Sequence, residues 1–384
     1  MLKAERRFSP SYKHEIQAGE KYIWIHAASL GEFEQSVTVI ELLKEKYPSH
    51  RILVTFFSPS GYENKKKHPL ADVITYLPLD TYSNARKFLD LVRPELVFFV
   101  KYDIWPNFLQ EIKQRGIRSF LISGAFRKDQ VYFKSYGSWM KKALQSFEHI
   151  FVQNRESKEL LEKNGFSNVS LSGDTRFDRV SRQLTYDNKL EVLENFLQDD
   201  LCIVAGSTWP EDEELLLEYI NSAPAKVKFI IAPHEIKTEK INDFRKKLKM
   251  SSVLYSETSS REPKDFQLLI IDNIGLLSRI YSYADIAYVG GAAGNTGLHN
   301  ILEPATFGIP IVIGKNFEKF PEAKKLEQLA GLYSVASAEE LTAIFQKLVK
   351  NKDFRTQTGM IAGHFINSNT GATRVISDYL SKKP

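Results

Sequence analysis

Cysteine is nearly absent. The single residue of this type, Cys202, excludes an intrachain disulfide. It lies in the apolar run Leu201-Cys-Ile-Val-Ala205, the setting of a buried filler residue and not of a nucleophile. Such usage suits a reducing compartment. The 8 histidines are scattered, and with one cysteine they offer no zinc-ligand spacing, so no metal site is expected. No apolar run approaches the roughly 18–20 residues that cross a bilayer, and the opening Met1-Leu-Lys-Ala-Glu-Arg-Arg-Phe8 lacks a signal-peptide core. A P-loop of the form G-x-x-x-x-G-K-[ST] is missing. So is G-x-G-x-x-G after the first apolar run, which argues against an ordinary dinucleotide-dependent dehydrogenase.

What is present is the material of a globular α/β protein. Hydrophobic residues make up 43% and charged residues 26% of 384, enough for two or three domains each burying its own core. The net charge of +5 is a mild basic excess that fits an acidic substrate or an anionic membrane surface, and nucleic acid is not expected as a partner. Apolar, β-rich runs alternate with amphipathic stretches. In the first half they are Tyr22–His26, Ile52–Phe57, Val73–Leu77, Leu96–Val100, Ser119–Ile122 and Ile150–Gln153, with a short strand-like Val169–Leu171. In the second half they are Leu201–Ala205, Val227–Ala232, Leu268–Asp272, Ile286–Val289 and Ile309–Ile313. Continuous apolar strands separated by helices predict parallel sheets covered on both faces. Two such series predict two doubly wound, Rossmann-like domains, placed at residues 1–176 and 177–384.

In such sheets ligands bind beyond the carboxyl ends of the strands. Three ends in the second half are suggestive. Leu201–Ala205 empties into Gly206-Ser-Thr208, where a phosphate would meet backbone N–H groups and hydroxyls. Val227–Ala232 is followed by Pro233-His234-Glu235. Ile286–Val289 runs into Gly290-Gly-Ala-Ala-Gly-Asn-Thr-Gly-Leu-His-Asn-Ile-Leu-Glu303, a glycine-rich loop that delivers His299, Asn300 and Glu303 around a helix start. Together they describe a nucleotide site. In the first half, Glu32 follows the first strand and Asp103 the fourth, and either carboxylate could move a proton. Structural readings stay open beside these: Ser29-Leu-Gly-Glu32 and Thr208-Trp-Pro-Glu211 both match a capping box, and Asp103 beside Trp105-Pro106 could cap a turn. The basic clusters Lys65-Lys-Lys-His68 and Arg127-Lys128 read either as solvated loops or as contacts to phosphates or a membrane surface.

Four blocks in order, His26-Ala-Ala-Ser-Leu-Gly-Glu-Phe33, Asp103-Ile-Trp-Pro-Asn107, Ala205-Gly-Ser-Thr208 and Leu298-His-Asn-Ile-Leu-Glu-Pro-Ala305, resemble the 3-deoxy-D-manno-octulosonic acid (Kdo) transferases of lipopolysaccharide synthesis. The resemblance covers nearly the whole chain. It implies the GT-B glycosyltransferase architecture, two Rossmann-like domains facing a central cleft, with the last helix crossing back to the first domain. It also implies an inverting, metal-independent transfer. The donor CMP-Kdo would occupy the second domain and a lipid A precursor the first, with no cofactor beyond these substrates. Carried over by position, Glu32 is the general base and Asp103 a second essential acid. Ser207, Thr208, His234, Gly290, Gly291, Gly297, His299, Asn300 and Glu303 hold the nucleotide sugar, with Glu303 on the ribose. Ser29, Gly31, Lys101 and Arg127 are the expected acceptor contacts. The implied location is peripheral, on the cytoplasmic face of a bacterial inner membrane, although the hydrophobic anchor usual at the family's start is not in this sequence. Three departures stand out: Lys101-Tyr-Asp103 replaces Glu-Thr-Glu, Ala232-Pro-His234 lacks the arginine of P-R-H, and Gly297-Leu-His-Asn300 replaces G-G-H-N. Lys315 is the expected substitute for the missing arginine. Other two-Rossmann nucleotide-sugar enzymes, such as UDP-sugar transferases or 2-epimerases, and a non-catalytic sugar-nucleotide-binding protein remain alternatives at this level.

Overall fold

The computed structural model describes residues 16–382 except Ala18. The chain divides into two units, one running to Arg179 and resuming at Asn369, the other spanning Val180–Ser368. The division therefore falls three residues later than the sequence suggested, and the final segment is part of the first unit, not the second.

The first unit is built on a seven-stranded sheet: β1 (Lys21–His26), β2 (His50–Phe56), β3 (Val73–Tyr76), β4 (Pro94–Val100), β5 (Arg118–Gly124), β6 (His149–Val152) and β7 (Val169–Leu171), in the order 3-2-1-4-5-6-7. All neighbours pair in parallel. Strand direction in sequence reverses its march across the sheet between β1 and β4, which makes that pair the topological switch point. From β1 the chain enters helix α1 (Leu30–Lys46), and after β4 it enters α2 (Pro106–Gln114). Side chains alternate along β1: Tyr22 and Trp24 pack on one face of the sheet with Phe88, Phe99 and Phe108, and Ile23 and Ile25 on the other with Phe33 and Phe98.

The second unit repeats the plan with β8 (Leu201–Thr208), β9 (Val227–Pro233), β10 (Ser252–Leu254), β11 (Leu268–Ile270), β12 (Ile286–Val289), β13 (Ile311–Gly314) and β14 (Leu332–Val335), again parallel, in the order 10-11-9-8-12-13-14. Its switch point lies between β8 and β12. Helix α3 (Pro210–Ser222) follows β8, and the short α4 (Leu302–Thr306) follows the glycine-rich loop after β12. Cys202 is buried in β8.

The terminal helix α5 (Ala372–Lys382) buries Ile376 and Leu380 among Ile25, Phe33 and Val100 of the first unit. Full burial of such a side chain is worth about 1.5–3 kcal/mol. The start of α5 is tied down by Asp178, whose carboxylate accepts the Gly371 and Thr373 N–H groups at 2.5 and 2.6 Å. Two strands went unread in the sequence. β10 and β14 are sheet edges of three and four residues with polar neighbours, and each pairs on one side only, so neither needs a continuous apolar run.

Candidate active site

In the first unit, the two strands flanking the switch point bring the expected acids together. Glu32 sits in the first turn of α1, and its Oε2 accepts the Ala28 N–H at 2.5 Å. The capping-box reading of Ser29 is corrected here: its side chain makes no cap hydrogen bond, and the glutamate ties down Ala28 instead. Burial raises the Glu32 pKa above 4.5 and the Asp103 charge raises it further, while the Ala28 N–H, His26 and Lys101 oppose the rise. A carboxyl raised in this way is better matched to proton abstraction near neutral pH.

Asp103 does not cap α2. That task falls to Asp80, whose Oδ1 accepts the Asn107 and Phe108 N–H groups at 3.1 and 3.2 Å. Asp103 is instead bonded to His26 Nε2 at 2.6 Å and to the Trp105 indole N–H at 2.8 Å, all on one oxygen, Oδ2. Burial pushes its carboxyl up, but the His26 bond and charge and the Trp105 N–H outweigh it, and the pKa ends below 3.8. An ionised carboxylate only accepts, so His26 carries its proton on Nε2. The His26 ring is fully buried, and its Nδ1 meets Thr55 Oγ1 at 2.8 Å, the same oxygen that accepts the Trp24 indole N–H at 2.8 Å. Sequence reasoning singled out the strand end but missed His26 as its central residue. The available signal was a histidine closing an otherwise apolar strand.

The acceptor candidates gather around the same strand ends. Lys101 takes a left-handed φ of +65° at the end of β4, a conformation that costs a non-glycine residue about 1–3 kcal/mol and concentrates at functional sites. Its ammonium and the Arg127 guanidinium both lie over the Tyr102 ring, 6.0 and 5.9 Å from its centre. A Cβ at Gly31 would meet nothing within 4 Å, so packing does not require glycine there. Lys65 of the other basic cluster is spent on an ion pair with Glu34 at 2.9 Å.

In the second unit, the ends of β8, β9 and β12 converge as expected, with two corrections. The helix after β8 begins at Pro210, and the carboxylate that reaches back is Asp212, accepting the Trp209 N–H at 2.9 Å; the Thr208–Glu211 box is shifted by one residue. Thr208 Oγ1 donates to Glu213 instead, at 3.1 Å. The glycines at 290 and 291 are close-packed against the protein itself. A Cβ at Gly290 would come within 2.3 Å of the Ser207 carbonyl oxygen, and one at Gly291 (φ +95°) within 2.1 Å of the Gly297 oxygen. Gly290 allows the loop to close on β8, which carries Ser207 in a left-handed φ of +55°, and Gly291 allows the loop to fold back on itself. Gly297, at φ +99°, is required by conformation, as is Gly291.

Asp212, which no sequence pattern above singles out, is the hub of this arrangement. It is fully buried, and its carboxylate accepts the Trp209 and Gly291 N–H groups and the Tyr288 hydroxyl at 2.8–2.9 Å, with the Ala293 N–H at 3.3 Å. Every one of these is a donor, so an amide is no substitute: the NH2 of Asn would face at least one of them. Asp212→Asn is expected to cost on the order of 3 kcal/mol, read as a fall in urea midpoint at unchanged slope. In the loop beyond, Asn300 Oδ1 accepts the Leu302 N–H at 3.2 Å and its Nδ2 donates to Glu303 Oε1 at 3.1 Å, while Ser278 donates to Glu303 Oε2 at 3.1 Å. Glu303 is thus held with lone pairs to spare for a diol. Trp209, His234 and His299 touch one another through their rings. Lys315 lines a surface pocket with Glu211, Glu214 and Ala293 of the glycine-rich loop. Among the described residues there is no group of three or more His, Cys, Asp or Glu placed to hold a metal.

Comparison with known proteins decides the family. Residues 3–179 match the model described as 3-deoxy-D-manno-octulosonic-acid transferase. The transferase of that name from Aquifex aeolicus is 30% identical over 353 residues, covering 90% of this chain and 91% of the relative. The chain belongs to the Kdo transferase family. The Haemophilus influenzae Kdo transferase is 28% identical across 93% of the chain and 86% of its own length. A Fusobacterium nucleatum bifunctional glycosyltransferase/methyltransferase is 27% identical across 87% of the chain, which spans 53% of that longer protein. Among solved structures, the Neisseria meningitidis UDP-GlcNAc 2-epimerase aligns over 94% of this chain and 100% of its own at a TM-score of 0.66 and 16% identity. At this identity the likeness is one of fold. Family membership makes the chain a glycosyltransferase of GT-B type.

Proposed function

We propose that this Kdo transferase moves Kdo from CMP-Kdo to a hydroxyl of a lipid A precursor, of the lipid IVA kind, with inversion at the anomeric carbon. The observation that carries the reading is the pair of switch-point clusters: a raised-pKa carboxylate, Glu32, in one unit, and a Ser207–Thr208 strand end beside a glycine-rich loop in the other. Glu32 takes the proton from the attacking hydroxyl as the sugar–phosphate bond breaks. Positive charge develops on the anomeric carbon and negative charge on the departing CMP phosphate, which the backbone N–H and hydroxyl groups around Ser207 and Thr208 are suited to hold. His299, Asn300 and Glu303 hold the nucleotide, with Glu303 accepting from the ribose. Lys101 and Arg127 contact the acidic acceptor. No metal enters these steps, and transfer is expected to survive chelation by EDTA.

The same proposal places the protein peripherally on the cytoplasmic face of the inner membrane. No helix among the described residues is long and apolar enough to cross a membrane. Tyr136 and Trp139, 73% and 58% exposed, stand beside Lys134, Lys141 and Lys142, a combination suited to an anionic lipid surface. The test of the donor is a panel of CMP-Kdo and UDP-sugars with the lipid acceptor. Release of CMP from CMP-Kdo alone is expected; turnover of a UDP-sugar with none of CMP-Kdo overturns the reading.

A further inference from the structure

The strand ends of the second unit bring together three rings that no motif connects in the sequence. Trp209 follows β8, His234 follows β9 and His299 lies in the loop after β12. His234 stacks on Trp209 with ring centres 4.6 Å apart and planes at 24°, and its centre is 4.4 Å from that of His299. The Trp209 indole Nε1 lies 3.1 Å from His299 Nε2. An indole N–H can only donate, so His299 Nε2 accepts and carries no proton. An imidazolium would set two N–H groups against each other.

We infer that Trp209 is a positioning residue whose N–H locks His299 as the neutral imidazole protonated on Nδ1, leaving one fixed donor for an anionic ligand. That ligand being the nucleotide sugar rests on the function proposed above; the lock itself does not. The titratable groups facing His299 are His234 and Asp212. Burial lowers the His299 pKa to about 4 and His234 adds to the lowering, while Asp212 opposes it. The ring therefore keeps one charge state through the neutral range. A donor that does not titrate makes the same contribution to anion binding across that range, where the contribution of a free histidine would rise with acidity.

The experiment is nitrogen-15 NMR of the full chain labelled in histidine, titrated from about pH 5 to 8, with His299→Gln to assign the resonances. In the wild-type chain we expect Nε2 to stay unprotonated and Nδ1 protonated throughout. In Trp209→Phe, which keeps a ring but loses the N–H, His299 should shift toward the Nε2–H form. A wild-type His299 that carries its proton on Nε2, or both protons at pH about 7, overturns the inference without any variant. So does a folded Trp209→Phe whose His299 matches wild type. CMP binding is the separate probe of the donor reading: at one fixed pH, affinity is expected to fall several-fold in Trp209→Phe, where the Nδ1 proton is no longer held. Wild-type chain that binds no CMP overturns the donor reading, and the histidine spectra still decide the lock.

Discussion

Glu32→Gln is expected to lower kcat by about 10²–10⁴-fold, the usual contribution of a general base, with CMP binding unchanged. The substitution is nearly isosteric, and the amide oxygen of Gln can still accept the Ala28 N–H that Glu32 accepts at 2.5 Å. The entry into α1 is therefore kept and only the basic lone pair is lost. The pH dependence follows from the same residue. Burial and then Asp103 raise the Glu32 pKa above 4.5, and the base works only when ionised. In the wild-type enzyme kcat should fall as pH drops through that raised value, and the acid limb should be absent from whatever activity Glu32→Gln retains. Steady-state rates against pH for both proteins check this.

The second large effect is expected at Asp103. Asp103→Asn removes the negative charge that holds the buried His26, while its amide oxygen can still accept from His26 and Trp105, so the Trp24–Thr55–His26 chain keeps an acceptor but loses its ionic anchor. Loosening that hold on the groups around the base is expected to lower kcat on the order of 10²-fold. The substitution also removes the like charge next to Glu32, so the remaining activity should show its acid limb displaced to lower pH. A residue that only braced the fold would lower thermal stability and leave that limb in place. Because the two acids act on one step, the double variant Glu32→Gln/Asp103→Asn should lose little more than Glu32→Gln alone.

Much of this is legible in the amino-acid sequence. The apolar runs located twelve of the fourteen strands among the described residues, because a strand of a parallel sheet is covered on both faces and must be apolar throughout. Knowing where strands end was then enough to name Glu32, Asp103, Ser207, His234 and His299, since a doubly wound sheet offers its switch-point strand ends to ligands. What escaped were partners. A capping box is a four-residue pattern, and two of them matched at the wrong register: Glu32 ties Ala28 and not Ser29, and Asp212 ties Trp209 where Thr208–Glu211 had matched. The cap of α2 comes from Asp80, 27 residues from Asn107, at a distance no local pattern reports. Buried polar hubs are invisible for the same reason. His26 and Asp212 are defined by donors and acceptors drawn from other strands and the loops that follow them, Thr55 and Asp103 for one, Tyr288 and Gly291 for the other. Two glycines of the loop have a packing reason that no local pattern reports: Gly290 lets the loop lie on β8, and Gly291 lets the loop fold back on its own Gly297.

The most direct test is mass spectrometry of a lipid A precursor incubated with CMP-Kdo and either the wild-type chain or Glu32→Gln. With wild type the lipid should gain the mass of Kdo as CMP is released, and with Glu32→Gln it should remain unmodified over the same interval. Equal product from both proteins, or unmodified lipid with the wild-type chain, would contradict the assignment of the base and of the reaction respectively.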